Sequence, residues 1–316
     1  MDLSRRSLFR SAIAFTLFSG LGLAACRSGT SGNGTASSGG SGTATAGALA
    51  LCNAPWGVTD LKAAVRYLHY NSASLPGAMD KMFVFGHSGG GAQSSVMGAS
   101  GDSPLYTRYL ECLGAAMTFS DGTTTSDAIV GVTAWCPITG LQGFVTSQKS
   151  PSKDIGAFDA PDRSATENIV MGKGTQGLHF SKLSRDVLAA NESTYSSLTG
   201  WSGDYAASTW DSDFATTDET GGDAVSREQM YEPLYYLLDS RGGQGSSRVA
   251  PNWRIRTGIT QGDAASTVEI NLALALQALG NTKVDFATVW GQGHTMAERT
   301  GDGAANFIAW VKEASA

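Results

Sequence analysis

Lys81-Met82-Phe83-Val84-Phe85-Gly86-His87-Ser88-Gly89-Gly90-Gly91-Ala92-Gln93-Ser94-Ser95-Val96-Met97 decides the fold. A short apolar run meets G-x-S-x-G and then a segment able to continue as a helix. Strand, tight turn, helix is the setting of a nucleophile elbow. The turn imposes an unfavourable backbone on Ser88, so small residues must flank it. Gly86 and Gly90 are expected to let strand and helix approach. The Ser88 hydroxyl then stands clear of the backbone. The Gly89 amide, at the helix start, can face a developing oxyanion. The bare motif is weak in a chain with 40 glycines; the strand before it and the helix after it give it meaning.

A serine needs a base. The chain has four histidines, His69, His87, His179 and His294. His69 falls in a helical pattern, and His87 sits in the elbow with its side chain expected to point away. His179 lies in a Ser/Gly-rich stretch. His294 follows the alternating run 284–290 and the loop Gly291-Gln292-Gly293, at the tip of a late strand. In an α/β-hydrolase the order is Ser, then Asp or Glu, then His. Trp253-Arg254-Ile255-Arg256-Thr257 alternates as a strand. Asp263 is the only carboxylate in the loop after it. Glu269 comes next, already inside the following helical pattern.

The chain has 316 residues and a formal charge of −6, enough for one large domain. Mild acidity without a basic stripe gives no reason to expect nucleic acid. Ser4-Arg5-Arg6-Ser7-Leu8-Phe9 has the pattern of a twin-arginine signal. The apolar stretch 12–25 is too short for an ordinary membrane span. Leu23-Ala24-Ala25-Cys26 resembles a bacterial lipobox, making Cys26 the expected lipidated residue of an exported protein anchored at the cell surface. Residues 1–26 are thus expected to lie outside the fold, and 27–47, almost all Ser, Gly, Thr and Ala, to form a tether. Two of Cys52, Cys112 and Cys136 could pair after export. No Cys/His spacing suggests zinc, no GxGxxG or P-loop is present, and no cofactor is expected.

Further along, Thr59 is expected to cap a helix over 60–71 with Leu61, Ala64, Val65 and Leu68 as its apolar stripe. Residues 129–135 form a second buried-strand candidate. Residues 151–250 change character and suggest a lid, with weak helices near 183–190 and 229–238, inserted between a first core part (48–150) and a second (251–316). The lid aromatics are expected mostly to pack a small core of its own. A helix over 267–279 closes at Gly280, and Ala304, Phe307, Ile308 and Val311 give the last helix its apolar face. Strands alternating with helices indicate an α/β class with a mostly parallel sheet.

Val58-Thr59-Asp60-Leu61-Lys62-Ala63-Ala64-Val65-Arg66-Tyr67-Leu68, the elbow, Met97-Gly98-Ala99-Ser100-Gly101, Ala134-Trp135-Cys136-Pro137-Ile138-Thr139, Trp253-Arg254-Ile255-Arg256-Thr257-Gly258, Val284-Asp285-Phe286-Ala287 and Trp290-Gly291-Gln292-Gly293-His294 together resemble the bacterial tannase-like and feruloyl-esterase-like α/β-hydrolases. The resemblance implies Ser88 as nucleophile, Asp263 as triad acid and His294 as base, acting on a small-molecule ester without metal or organic cofactor. Tannases carry two acids in the loop after the WRIR-like strand; Gln261 and Asp263 hold that spacing here, so only one acid remains. The fold also places several strands before the elbow helix, whereas here there is room for one short strand near 48–52, and the N-terminal part of the sheet is expected to be missing. No HGGG-like motif precedes Ser88. Two other readings stand beside the esterase: a degenerate hydrolase serving as a surface ligand-binding lipoprotein, and a peptidase using the same triad.

Overall fold

The computed structural model describes the backbone of 13–16 and residues 53–140, 163–164, 166–264 and 266–316. Cys26, the 27–47 tether, Cys52 and the start of the insertion lie outside the described residues.

The core is one parallel sheet in sequential order β1-β2-β3-β4-β5. The strands are β1 (Ile13–Thr16), β2 (Met82–His87), β3 (Gly131–Trp135), β4 (Asn252–Gly258) and β5 (Lys283–Val289). The four strands expected from their apolar runs form where expected. A fifth joins them: Ile13–Thr16, which the sequence reading assigns to an export segment, pairs in parallel with Met82–Phe85. The short strand expected near 48–52 lies outside the described residues.

Period-two alternation gives each strand two apolar faces. Met82 and Val84, Val132 and Ala134, and Trp253 and Ile255 enter one core. Against that face pack α1 (Trp56–Tyr70), α2 (Gly89–Ala99), α3 (Thr107–Cys112) and α9 (Ser266–Ala278). On the other face Phe83 and Trp135 meet Phe307 and Val311 of α10 (Gly303–Ala314). A sheet covered on both sides explains why β3 and β4 are buried along their whole length.

Helix α1 starts before the expected position. Pro55 precedes it, and Thr59 Oγ1 bonds back to Pro55 O at 3.0 Å instead of capping. Its buried face is also rotated from the expected stripe, since Lys62 and Arg66 are buried with Val58 and Val65. Both cations turn inward because Asp127 is there: Lys62 Nζ donates to Asp127 Oδ1 and Arg66 Nε to Asp127 Oδ2, each at 2.7 Å. Burial raises the Asp127 carboxyl, but the two cations outweigh it and hold its pKa below the usual range. In α10, Phe307 and Val311 are buried as expected, whereas Ile308 faces solvent.

The insertion between β3 and β4 is helical: α4 (Thr166–Val170), α5 (Lys182–Tyr195), α6 (Ala207–Phe214), α7 (Ala224–Tyr231) and α8 (Pro233–Leu237). The expected helix over 229–238 is two helices broken before Pro233. The insertion is bonded to the core rather than standing apart. Arg227 Nη1 donates to Ala54 O and Gly172 O, and Tyr106 Oη donates to Met230 O. Tyr236 lies in the main core with Tyr231 and Tyr235 against it, so these aromatics do not serve a separate lid core. Among the described residues no helix is long and apolar enough to cross a membrane.

Candidate active site

Ser88 sits between β2 and α2 with φ 59° and ψ −124°. This is a left-handed backbone that a side chain rarely adopts, costing on the order of 1–3 kcal/mol. Its surroundings hold it there. Ser88 N donates to Trp135 O at 2.9 Å, and Ser88 O accepts from Ala92 N at 3.0 Å. Gly86 is obligatory, because a Cβ there would lie 2.1 Å from the Gly90 carbonyl oxygen. Gly90 itself faces open space, so the expectation that it mediates the close approach is corrected: Gly91 does so, against Trp135 O. Gly89 opens α2 with an exposed backbone, as an oxyanion donor requires.

All candidate groups gather at the C-terminal edge of the sheet, where ligands bind in open α/β folds. The loop after β4 carries Gln261 and Asp263, and the loop after β5 carries His294. The two loops are joined by Thr260, whose N and Oγ1 both donate to Gln292 O, at 3.0 and 2.7 Å. Gly258 permits this contact; a Cβ there would meet Gly293 O at 2.0 Å.

His294 Nδ1 lies 3.5 Å from Asp263 Oδ2 and 3.4 Å from Gln261 Oε1. Asp263 is largely exposed, with 58% of its side-chain surface open, whereas Gln261 is buried. Gln261 Oε1 also accepts from Asp263 N and Ala264 N, and its Nε2 donates to Ala264 O and, at 3.2 Å, to Glu269 Oε1. Glu269 is buried, takes a bond from Thr257 Oγ1, and burial pushes its pKa up to about 7. Sequence reasoning left Glu269 inside its helix; the structure brings it one residue away from His294, through Gln261. Ser88 is not among the side-chain partners of His294 in the described residues, which are Asp263, Gln261 and His87.

Two site residues escaped the sequence reading, and one was misplaced by it. The His87 ring does not point away; its centroid is 4.6 Å from that of His294. Burial, then the neighbouring His294, lower its pKa. Its Nε2 is buried outside hydrogen-bonding geometry with any described residue. Cys136, at φ 43° just past β3, is free and buried, and directs its thiol at Thr295 O, 3.4 Å away. Cys112 is disulfide-bonded. Glu298 anchors the His294 loop. It accepts from Arg254 Nη1 and Nη2 at 2.7 and 2.6 Å, from Trp135 Nε1 at 2.8 Å and from Asn306 Nδ2 at 3.0 Å. Burial raises its carboxyl, but these bonds, led by Arg254, hold it below the usual range. A Glu four residues after a histidine carries no signal in sequence. His179, by contrast, lies in the insertion, with Nδ1 2.7 Å from Asp213 Oδ2 and its ring stacked on Trp210.

Ser88 has a positive φ between β2 and α2, Asp263 lies on the loop after β4 and His294 on the loop after β5, and solved tannases superpose on the chain. The chain has a tannase-like fold. Tannin acyl hydrolase from Lactobacillus plantarum matches with a TM-score of 0.58 and 21% identity, over 84% of this chain and 72% of that one. Fusobacterium nucleatum tannase matches with a TM-score of 0.56 and 21% identity, over 84% and 74%. A tannin acyl hydrolase in complex with ethyl gallate matches with a TM-score of 0.58 and 21% identity, over 84% and 72%. The sequence matches no protein-family model and no curated protein.

Proposed function

We propose that this chain of tannase-like fold is a serine carboxylic-ester hydrolase acting on phenolic or other small acyl esters. Ser88 attacks the ester carbonyl while His294 accepts its proton. Asp263 orients the imidazole through Nδ1 and stabilises its charged form. The Gly89 amide supports the oxyanion. His294 then protonates the leaving alcohol, and water releases the acyl group by the same route. The observation that carries this reading is the strained Ser88 backbone at the sheet edge that also holds His294 and Asp263. Contacts of 3.4–3.5 Å at Nδ1 are longer than a formed N–H···O bond, and catalytic bonds of this kind tighten on substrate binding. Ligands of the tannin acyl hydrolases, ethyl gallate and 3,4-dihydroxybenzoate, support a phenolic acyl group.

A fluorophosphonate probe should label the purified chain at Ser88, with Ser88→Ala unlabelled and inactive on p-nitrophenyl acetate. An unlabelled but ligand-binding wild type would favour the alternative, a degenerate hydrolase that binds without turnover; that reading rests on Ser88 not being among the side-chain partners of His294 in the described residues.

Export with lipid anchoring at Cys26 belongs to the same proposal, on sequence grounds alone. It excludes β1 from the mature protein, because cleavage before Cys26 removes Ile13–Thr16. β2 would then be the sheet edge. Mass spectrometry of the membrane-bound form decides it: a mature start upstream of Cys26, or palmitate label retained in Cys26→Ser, rejects the anchor.

A further inference from the structure

We propose that His87, Cys136 and His294 form a binding site for one thiophilic divalent cation of the zinc class. The three residues come from the ends of β2 and β3 and from the loop after β5. Each offers one ligand atom, and those atoms all lie within 4.8 Å of one another. Zinc holds sulfur at about 2.3 Å and imidazole nitrogen at about 2.0–2.1 Å in a tetrahedron, which sets neighbouring ligand atoms roughly 3.5 Å apart. Closing the cluster therefore needs a contraction of roughly 1 Å, within reach of small side-chain rotations.

Two features favour the site over an accidental cluster. His87 Nε2 is buried outside hydrogen-bond geometry with any described residue, a loss that a metal would relieve. Cys136 is a free thiol, fixed by its backbone bond to Arg256 O at 2.8 Å and aimed at the carbonyls that flank His294, Gly293 O and Thr295 O. On binding, the thiol proton is released to solvent. Two imidazoles and a thiolate suit zinc and its soft neighbours, not magnesium or calcium. Water would fill the fourth position. If the proton relay proposed above holds, metal and relay compete for the one His294 imidazole, so occupancy silences turnover.

The test reads metal rather than catalysis, and so fails or succeeds independently of the esterase assignment. The full chain, stripped with a chelator, is titrated with Co²⁺ and then with Zn²⁺ in competition. One equivalent of Co²⁺ should give a thiolate-to-cobalt charge-transfer band that Zn²⁺ displaces. Cys136→Ser should abolish the band, and His87→Gln should weaken binding by at least about tenfold. Absence of the band in the wild-type chain overturns the site whatever the variants do. So does a band that persists in Cys136→Ser.

Discussion

Gln261 Oε1 stands 3.4 Å from His294 Nδ1, closer than the Asp263 carboxylate at 3.5 Å. The side of the imidazole that a triad reserves for its acid is thus shared between a buried amide and an exposed carboxylate. The amide can fix the ring but cannot neutralise it; only Asp263 brings charge. Behind the amide, Glu269 is one bond further away.

That division of labour predicts a rescue. Asp263→Asn should lower kcat/KM on p-nitrophenyl acetate by up to about 10⁴-fold, the scale of losing a triad acid. Adding Gln261→Glu to Asp263→Asn should recover at least about tenfold by returning a charge to Nδ1. If Asp263→Asn is near wild type while Glu269→Gln is inactive, the buried glutamate is the acid.

Glu269 should also mark the pH dependence of stability. Its folded pKa is raised from 4.5 to about 7 by burial, so between those values the native state holds a proton the unfolded chain has lost. Stability contributed by the protonated form is therefore full below the lower value and falls as pH rises to the upper one, by about 3 kcal/mol. Glu269→Gln should flatten that slope in urea titrations taken from pH 4.5 to 7.5. An unchanged slope would mean that Glu269 titrates normally.

The buried cluster around Asp127 has the opposite sign. Its pKa is depressed, so its contribution is present above the unfolded value of about 3.9 and lost as pH falls through the folded one. Asp127→Asn leaves Lys62, 0% exposed, without its counter-charge. Urea unfolding at pH 7 should register a loss of about 3–5 kcal/mol. A loss below about 1 kcal/mol would show that water or another group reaches Lys62.

Two glycines of the elbow should behave differently although the motif treats them alike. Gly86→Ala forces a Cβ to 2.1 Å from a carbonyl oxygen, while Gly90→Ala meets nothing within 4 Å. The first should abolish Ser88 labelling and lower the melting temperature; the second should spare both. Equal damage from both would place the tight contact elsewhere.

The sequence by itself determined the four main strands, the elbow at Ser88, and the loops after β4 and β5 that carry Asp263 and His294. Short apolar runs rich in β-branched and aromatic residues and bounded by turn residues favour strands, and G-x-S-x-G between strand and helix leaves few backbones open. It did not reveal that Lys62 and Arg66 turn inward, because their helical period mimics a solvent face; Asp127, distant in sequence, is what draws them in. Nor could it place Ile13–Thr16, whose apolar character serves a signal and an edge strand equally well. Only the tertiary structure brought His87, Cys136 and His294 together, and set Gln261 and Glu269 behind the imidazole. Those residues are separated by tens to hundreds of positions, and their proximity depends on strand register and loop closure, which no local pattern encodes.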